Sequence, residues 1–157
     1  MEEVLTVNHL KTYYHSKNKV VPAVDGVSFR LTKGEVLGIV GESGCGKSTV
    51  ARSILNLHDK SYTRIEAGEI LFHGADLLKL SDKDLNRIRG KKISMIFQNP
   101  LSSLNPVYTI GDQISEVLNV HQNMSKKEAA ARTIELLQLV GIPAPETRLR
   151  DYPHQMS

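Results

Sequence analysis

The sequence has 157 residues, of which 40% are hydrophobic and 24% charged, a balance typical of a soluble globular domain. Its net charge of +3 and its 5% of aromatic residues do not favour nucleic-acid binding, and its six histidines show no paired metal-ligand spacing. No apolar run approaches the roughly 20 residues of a membrane-spanning helix, and the single cysteine excludes an internal disulfide.

The first segment, residues 4–31, is predicted to be an antiparallel β piece. Apolar residues alternate with polar neighbours near both of its ends, at Leu5, Val7, Val27, Phe29 and Leu31. A polar stretch at residues 16–19 predicts the turn between the two strands, and Thr32-Lys33-Gly34 predicts a second turn after them.

A glycine-rich loop, Gly41–Ser48, has the form G-x-x-x-x-G-K-[ST] of a phosphate-binding loop. The apolar run before it, residues 36–40, predicts a short buried parallel strand. After the loop, apolar residues recur at helical spacing at Val50, Ile54 and Leu57. Strand, loop and helix in this order predict a nucleotide phosphate site.

The backbone of this loop is suited to an anion. Gly41, Gly44 and Gly46 permit positive φ values and a close approach without a Cβ. N–H groups from Ser43 through Cys45 to Thr49 are predicted to point inward at the start of a helix, where they form an anion-binding nest.

Two side chains complete the predicted phosphate site. Lys47 supplies an ammonium group for the β- and γ-phosphates, and the Ser48 hydroxyl is placed to bind Mg²⁺. The loop is therefore expected to hold a nucleotide together with a magnesium ion.

The rest of the chain continues the mixture of strands and helices. The predicted elements are a strand at residues 68–74, a helix capped by Ser81, a strand at 93–97, a proline-containing loop at 98–106, and helices that begin near Ile110 and Ser125. Ser125 and Glu128 form a capping box, and Gly141 is expected to end the last helix.

Three stretches together resemble the ATP-binding subunit of an ABC transporter, most closely the oligopeptide/dipeptide importer family. Residues 40–48 resemble its Walker A sequence, residues 93–106 its Q-loop stretch, and residues 152–157 the lead-in to its signature sequence. The resemblance implies an α/β fold: a P-loop NTPase core with an N-terminal antiparallel β piece and the start of a helical subdomain. The core is expected to span residues 1–98, and the Q-loop with a partial helical subdomain residues 99–157.

The resemblance also implies roles for individual residues. Tyr13 falls where the family stacks an aromatic ring on adenine, with Tyr14 as the alternative. Gln98 matches the glutamine that reaches Mg²⁺ and the attacking water, so Lys47 and Gln98 are the predicted catalytic residues and Ser48 and Gln98 the predicted metal ligands. The implied cofactors are ATP and Mg²⁺.

A subunit of this kind couples ATP binding and hydrolysis to solute uptake, here expected to be peptides, with nickel or another solute as the alternative. The implied partners are transmembrane permease subunits, a second ATP-binding subunit in a head-to-tail dimer and, indirectly, a solute-binding protein. The implied location is cytoplasmic, on the inner face of the cell membrane, with no nucleic acid bound. A soluble ABC-type ATPase acting on DNA is the other alternative, which long heptad segments would favour; none occurs between Gln98 and Ser157.

The sequence stops at Ser157, before the remainder of the signature and the Walker B strand of the resembled family. Walker B carries an aspartate for Mg²⁺ and a glutamate that activates water in that family. The 157 residues alone are therefore expected to bind ATP but not to hydrolyse it efficiently.

Overall fold

The computed structural model describes residues 2–99 and 103–156. The chain forms two compact units, one up to Arg89 and one from Gly90 onward. This division precedes the functional boundary expected after residue 98, which stays a prediction. Among the described residues, no helix is long and apolar enough to cross a membrane.

The first unit is built on a four-stranded antiparallel sheet. Its strands are β1 (Glu3–Ser16), β2 (Lys19–Thr32), β3 (Thr63–Phe72) and β4 (Ala75–Asp76), arranged in the order β2-β1-β3-β4. The polar turn between β1 and β2 lies where it was predicted, so the antiparallel β piece is confirmed. β3 begins at Thr63, five residues before the predicted start at Gly68.

Gly68 lies inside β3, where it faces an irregularity in β1. The pairing register of β1 shifts between Val7 and Leu10, and His9 within this bulge has a φ of +47°. Gly68 of β3 packs against it with a φ of +106°, and a Cβ there would lie 2.7 Å from the carbonyl oxygen of Asn8. Gly68 therefore accommodates a bulge inside the strand instead of beginning the strand.

Helix α1 (Lys47–Ile54) lies against β1 and β2. The buried apolar residues of this unit include Val7, Leu10, Val24, Val50 and Ile70. A second helix, α2 (Asp82–Ile88), begins as predicted at Ser81, whose hydroxyl accepts a hydrogen bond from the N–H of Asp84 at 3.2 Å. Because α1 lies against β1 and β2, the helix that follows the phosphate loop lies on one face of the sheet.

The two predicted parallel strands do not form in the described residues. Residues 35–42 and 94–97 have no regular secondary structure. Val36 and Val40 are each 95% exposed and Ile96 is 91% exposed. An apolar run indicates a tendency to be buried, but a parallel strand also needs a hydrogen-bonded neighbour. No strand of the described residues pairs with either segment, so the two strand predictions are wrong for this chain.

The second unit is helical in its described part. It contains α3 (Ile110–Gln122), α4 (Lys126–Leu139) and α5 (Pro145–Arg148). The predicted capping box of α4 is confirmed, because Ser125 and Glu128 each accept a hydrogen bond from the other's backbone N–H. The helix ends at Leu139, two residues before Gly141, which has a φ of +76°. Residues 100–102 of the predicted proline-containing loop lie outside the described residues.

Candidate phosphate-binding site

The glycines of the loop differ in what they contribute. Gly44 and Gly46 have φ values of +82° and +96°, as predicted, whereas Gly41 lies outside the left-handed region. A Cβ at Gly41 would lie 2.6 Å from Cys45 Sγ, and a Cβ at Gly46 would collide with the carbonyl oxygen of Ala23. Gly44 is therefore needed for its backbone conformation, Gly41 for the space beside Cys45, and Gly46 for both reasons.

The loop leads directly into the N-terminus of α1. Gly46 is the N-cap, and the first helical hydrogen bond runs from the N–H of Val50 to the Gly46 carbonyl at 2.9 Å. The N–H groups that precede Val50 belong to the first helical turn, which has no acceptor four residues back. Ser48 in this turn is exposed, so the turn is open to a ligand from solution. This geometry is suited to an anion.

The Lys47 side chain folds back over the loop. Its Nζ donates hydrogen bonds to the carbonyl oxygens of Gly41, at 2.7 Å, and Glu42, at 2.6 Å, and lies 3.5 Å from Cys45 Sγ. No carboxylate of the described residues pairs with this ammonium group. Because carbonyl oxygens do not neutralise its charge, the loop holds a positive charge that a phosphate could bind.

The two candidate adenine-stacking tyrosines lie on opposite faces of β1. The Tyr14 hydroxyl is 2.8 Å from Thr49 Oγ1 in the first turn of α1. The Tyr13 hydroxyl instead donates to Asp25 Oδ1 at 2.9 Å, and Lys11 pairs with the same oxygen at 3.0 Å. The structure therefore brings Tyr14, the alternative of the sequence analysis, to the phosphate loop and places Tyr13 with Asp25.

The pairing on the Tyr13 face changes the acidity of its groups. Hydrogen bonds from Lys11 and then from Tyr13 lower the pKa of Asp25 below its usual value. The hydrogen bond to Asp25 raises the pKa of Tyr13 in turn. Lys11, Tyr13 and Asp25 thus form a hydrogen-bonded cluster on the sheet, and Asp25 also lines a cavity with Gly46 and Lys47 of the loop.

Gln98 belongs to the second unit, whereas the phosphate loop belongs to the first. It lies in an irregular exposed segment after residues 94–97. Its role toward Mg²⁺ and water stays a prediction.

A polar cluster that joins β1, α1 and the segment after α1 was not identified from the sequence. Ser53 Oγ of α1 lies 2.9 Å from Thr12 Oγ1 of β1 and 2.8 Å from His58 Nε2. Thr12 and Ser53 are both fully buried. Burial, followed by the charge of Arg52, lowers the pKa of His58, which favours the neutral imidazole. Thr12 is far from Ser53 and His58 in the sequence, and the three residues form no pattern that would have revealed the cluster.

Comparison with known proteins places this geometry in a family. Residues 24–157 match the family described as ABC transporter. Two proteins of Bacillus subtilis (strain 168), the oligopeptide transport ATP-binding protein AppD and the dipeptide transport ATP-binding protein DppD, are each 50% identical to the chain over 157 residues. All of the chain aligns with them, but it spans only 48% of AppD and 47% of DppD.

A solved structure is similar to this chain in its fold. A dimeric structure of MJ0796, a bacterial ABC transporter cassette, matches 98% of the chain with a TM-score of 0.80 at 26% identity, and the chain covers 63% of that structure. This likeness confirms the predicted α/β class with an added antiparallel sheet. Because the family match covers most of the chain and includes the phosphate loop, the chain belongs to the ABC transporter family.

Proposed function

We propose that the chain is part of an ATP-binding subunit of a peptide importer. The observation that carries the proposal is the loop Gly41–Thr49, which combines the N-terminus of α1 with a lysine charge that donates to carbonyl oxygens. The names of AppD and DppD, which refer to oligopeptide and dipeptide transport, support peptides as the solute class. Family membership supports ATP as the nucleotide.

Within this proposal each loop residue has a distinct task. The N–H groups of the first turn of α1 bind phosphate oxygens, and Lys47 moves from the carbonyls of Gly41 and Glu42 to the β- and γ-phosphates. Ser48 would hold Mg²⁺, which offsets the phosphate charge when bound, and the role of Gln98 as a metal ligand stays a prediction. Lys47 exchanges two neutral acceptors for an anion, a change that favours the bound state.

The partners proposed for the whole protein are those of the family. They are transmembrane permease subunits, a second ATP-binding subunit in a head-to-tail arrangement and, indirectly, a solute-binding protein, with the subunit on the inner face of the cell membrane. The dimeric structure of the MJ0796 cassette supports the paired arrangement. The chain spans about half the length of the curated relatives it matches, so these partners are assigned to the whole protein.

The 157 residues are proposed to bind Mg-ATP and to turn it over negligibly. Hydrolysis needs a group that orients and activates the attacking water. The sequence offers Gln98 but no apolar run that ends in Asp-Glu, the arrangement in which the family places its catalytic carboxylate.

Equilibrium binding of Mg-ATP, followed by calorimetry, tests the proposal, with phosphate release measured in parallel. We expect saturable binding that ADP displaces and AMP does not, because AMP lacks the β-phosphate that the loop binds. Absence of binding at millimolar Mg-ATP would contradict the proposed function. Steady phosphate release by the wild-type chain would contradict the proposed lack of turnover alone.

We propose that Tyr14, the alternative of the sequence analysis, stacks on the adenine ring in preference to Tyr13. Tyr14→Ala should weaken Mg-ATP binding about tenfold, because stacking of a base on an aromatic ring contributes roughly 1–3 kcal/mol. Tyr14→Phe keeps the ring and loses only the contact with Thr49, so a loss of about threefold is expected. Tyr13→Ala is the comparison variant and should weaken binding less, because the Tyr13 hydroxyl contacts Asp25 and not α1. Equal losses for Tyr13→Ala and Tyr14→Ala, measured by calorimetry, would exclude this assignment.

A further inference from the structure

The phosphate-loop helix is joined to β1 by two pairs of hydroxyl groups at matching intervals. On the strand, Thr12 and Tyr14 are two residues apart, so their side chains share a face of the sheet. On the helix, Thr49 and Ser53 are four residues apart and share a face of α1. Tyr14 meets Thr49 at 2.8 Å and Thr12 meets Ser53 at 2.9 Å. The two contacts therefore define the position of the helix along the strand.

Ser53 is the centre of the inner contact. Its hydroxyl donates to the carbonyl oxygen of Thr49 at 2.8 Å. A hydroxyl has one proton and two acceptor positions, so the other two neighbours, Thr12 Oγ1 and His58 Nε2, must each donate to it. This assignment uses all the hydrogen-bonding capacity of Ser53 and requires the Nε2–H tautomer of His58. Ser53 thereby connects the strand, the helix and the segment after the helix.

The connection reaches the phosphate site through Thr49. Thr49 lies in the first turn of α1, beside Ser48 and two residues after Lys47. Its carbonyl is held by Ser53 and its hydroxyl by Tyr14. The carbonyl and the hydroxyl of Thr49 are therefore both held by directional contacts with groups outside the loop. Apolar packing alone, being non-directional, would permit small shifts of the helix that hydrogen bonds resist.

We propose that Thr12, Ser53 and His58 are positioning residues for nucleotide binding. They hold the first turn of α1 so that its N–H groups are already directed at the phosphates before the nucleotide arrives. The inference rests on the proposed function, because it concerns the same phosphate site. A pre-formed cradle does not have to be ordered on binding, so loss of these contacts should weaken affinity even where the protein stays folded.

Ser53→Ala in the full 157-residue chain tests the proposal, with Mg-ATP affinity measured by calorimetry where each variant is fully folded. We expect an affinity loss of about five- to tenfold, the effect of losing one or two hydrogen bonds. Thr133→Val is the matched control. Thr133 is likewise fully buried, and its hydroxyl donates to the carbonyl four residues earlier, Ala129, at 2.7 Å. It lies in the helical unit, so its loss should lower stability and leave the affinity within twofold of wild type.

His58 provides the rescue experiment. His58→Leu removes the donor to Ser53 and should weaken Mg-ATP binding about threefold, whereas His58→Gln keeps an N–H donor and should restore near-wild-type affinity. Wild-type affinity in Ser53→Ala, or equal affinities in the two His58 variants, would overturn the positioning role and leave the proposed function intact. Absence of Mg-ATP binding by the wild-type chain would overturn both.

Discussion

Lys47→Ala is expected to reduce the affinity of the chain for Mg-ATP by about 100-fold, a loss of roughly 3 kcal/mol. The ammonium group is the one positive charge that the structure places within the loop, 2.6–2.7 Å from the carbonyls of Gly41 and Glu42. Without Lys47 the phosphate would be bound by backbone N–H groups alone, and the attraction between two opposite charges would be lost. Calorimetric titration with Mg-ATP measures the change.

Lys60→Ala is the control for the loss of one positive charge. Lys60 lies 3.4 Å from Asp82 with both side chains largely exposed, at 69% and 68%, and such pairs contribute little to stability. The affinity of this variant should stay within twofold of wild type. If Lys47→Ala and Lys60→Ala weakened binding equally, the effect would be a general one of net charge, and the loop would not be the phosphate site.

The phosphate loop was predictable because its geometry depends on local sequence. Gly44 and Gly46 adopt positive φ values, and α1 begins within the predicted loop at Lys47, contains Val50 and Ile54, and ends before Leu57. Helix caps at Ser81 and Ser125 were predictable for the same reason, since a cap is formed by residues three or four positions apart.

The apolar strands at residues 36–40 and 93–97 were not predictable in this way. A parallel strand forms only where a second strand supplies hydrogen bonds along its length, and that partner is distant in sequence. Val36 and Val40 belong to an apolar run of the kind found in buried strands, yet both side chains are almost fully exposed. Composition thus indicates which residues favour burial, while pairing decides whether a strand forms.

The choice between Tyr13 and Tyr14 depends on a single residue of β1. Leu5 and Val7 start an alternation that, continued without interruption, would place Tyr13 on their face of the sheet. The bulge at His9, with its φ of +47°, shifts this alternation by one residue, so Leu10, Thr12 and Tyr14 follow Val7 on the α1 side. A histidine at positive φ carries no sequence signal of its own, which is why the sequence left both tyrosines open.

Gly46→Ala is expected to lower the free energy of unfolding by at least about 3 kcal/mol, because two separate penalties act at one position. Gly46 has a φ of +96°, which alanine rarely adopts, and the added Cβ would collide with the carbonyl oxygen of Ala23. The carbonyl belongs to the backbone of β2 and cannot rotate away as a side chain would. Equilibrium unfolding in urea measures the change.

Gly44→Ala separates the two penalties within the same loop. Gly44 has a φ of +82°, but a Cβ there would meet no atom within 4 Å, so only the conformational cost of about 1 kcal/mol is expected. A loss at Gly46 no larger than the loss at Gly44 would mean that the loop can move away from β2. The first turn of α1 would then not be held at a fixed distance from the sheet, and a pre-formed phosphate site would lose its structural basis. A clear difference between the two variants would show that close packing of the loop on β2 keeps the helix N-terminus in place.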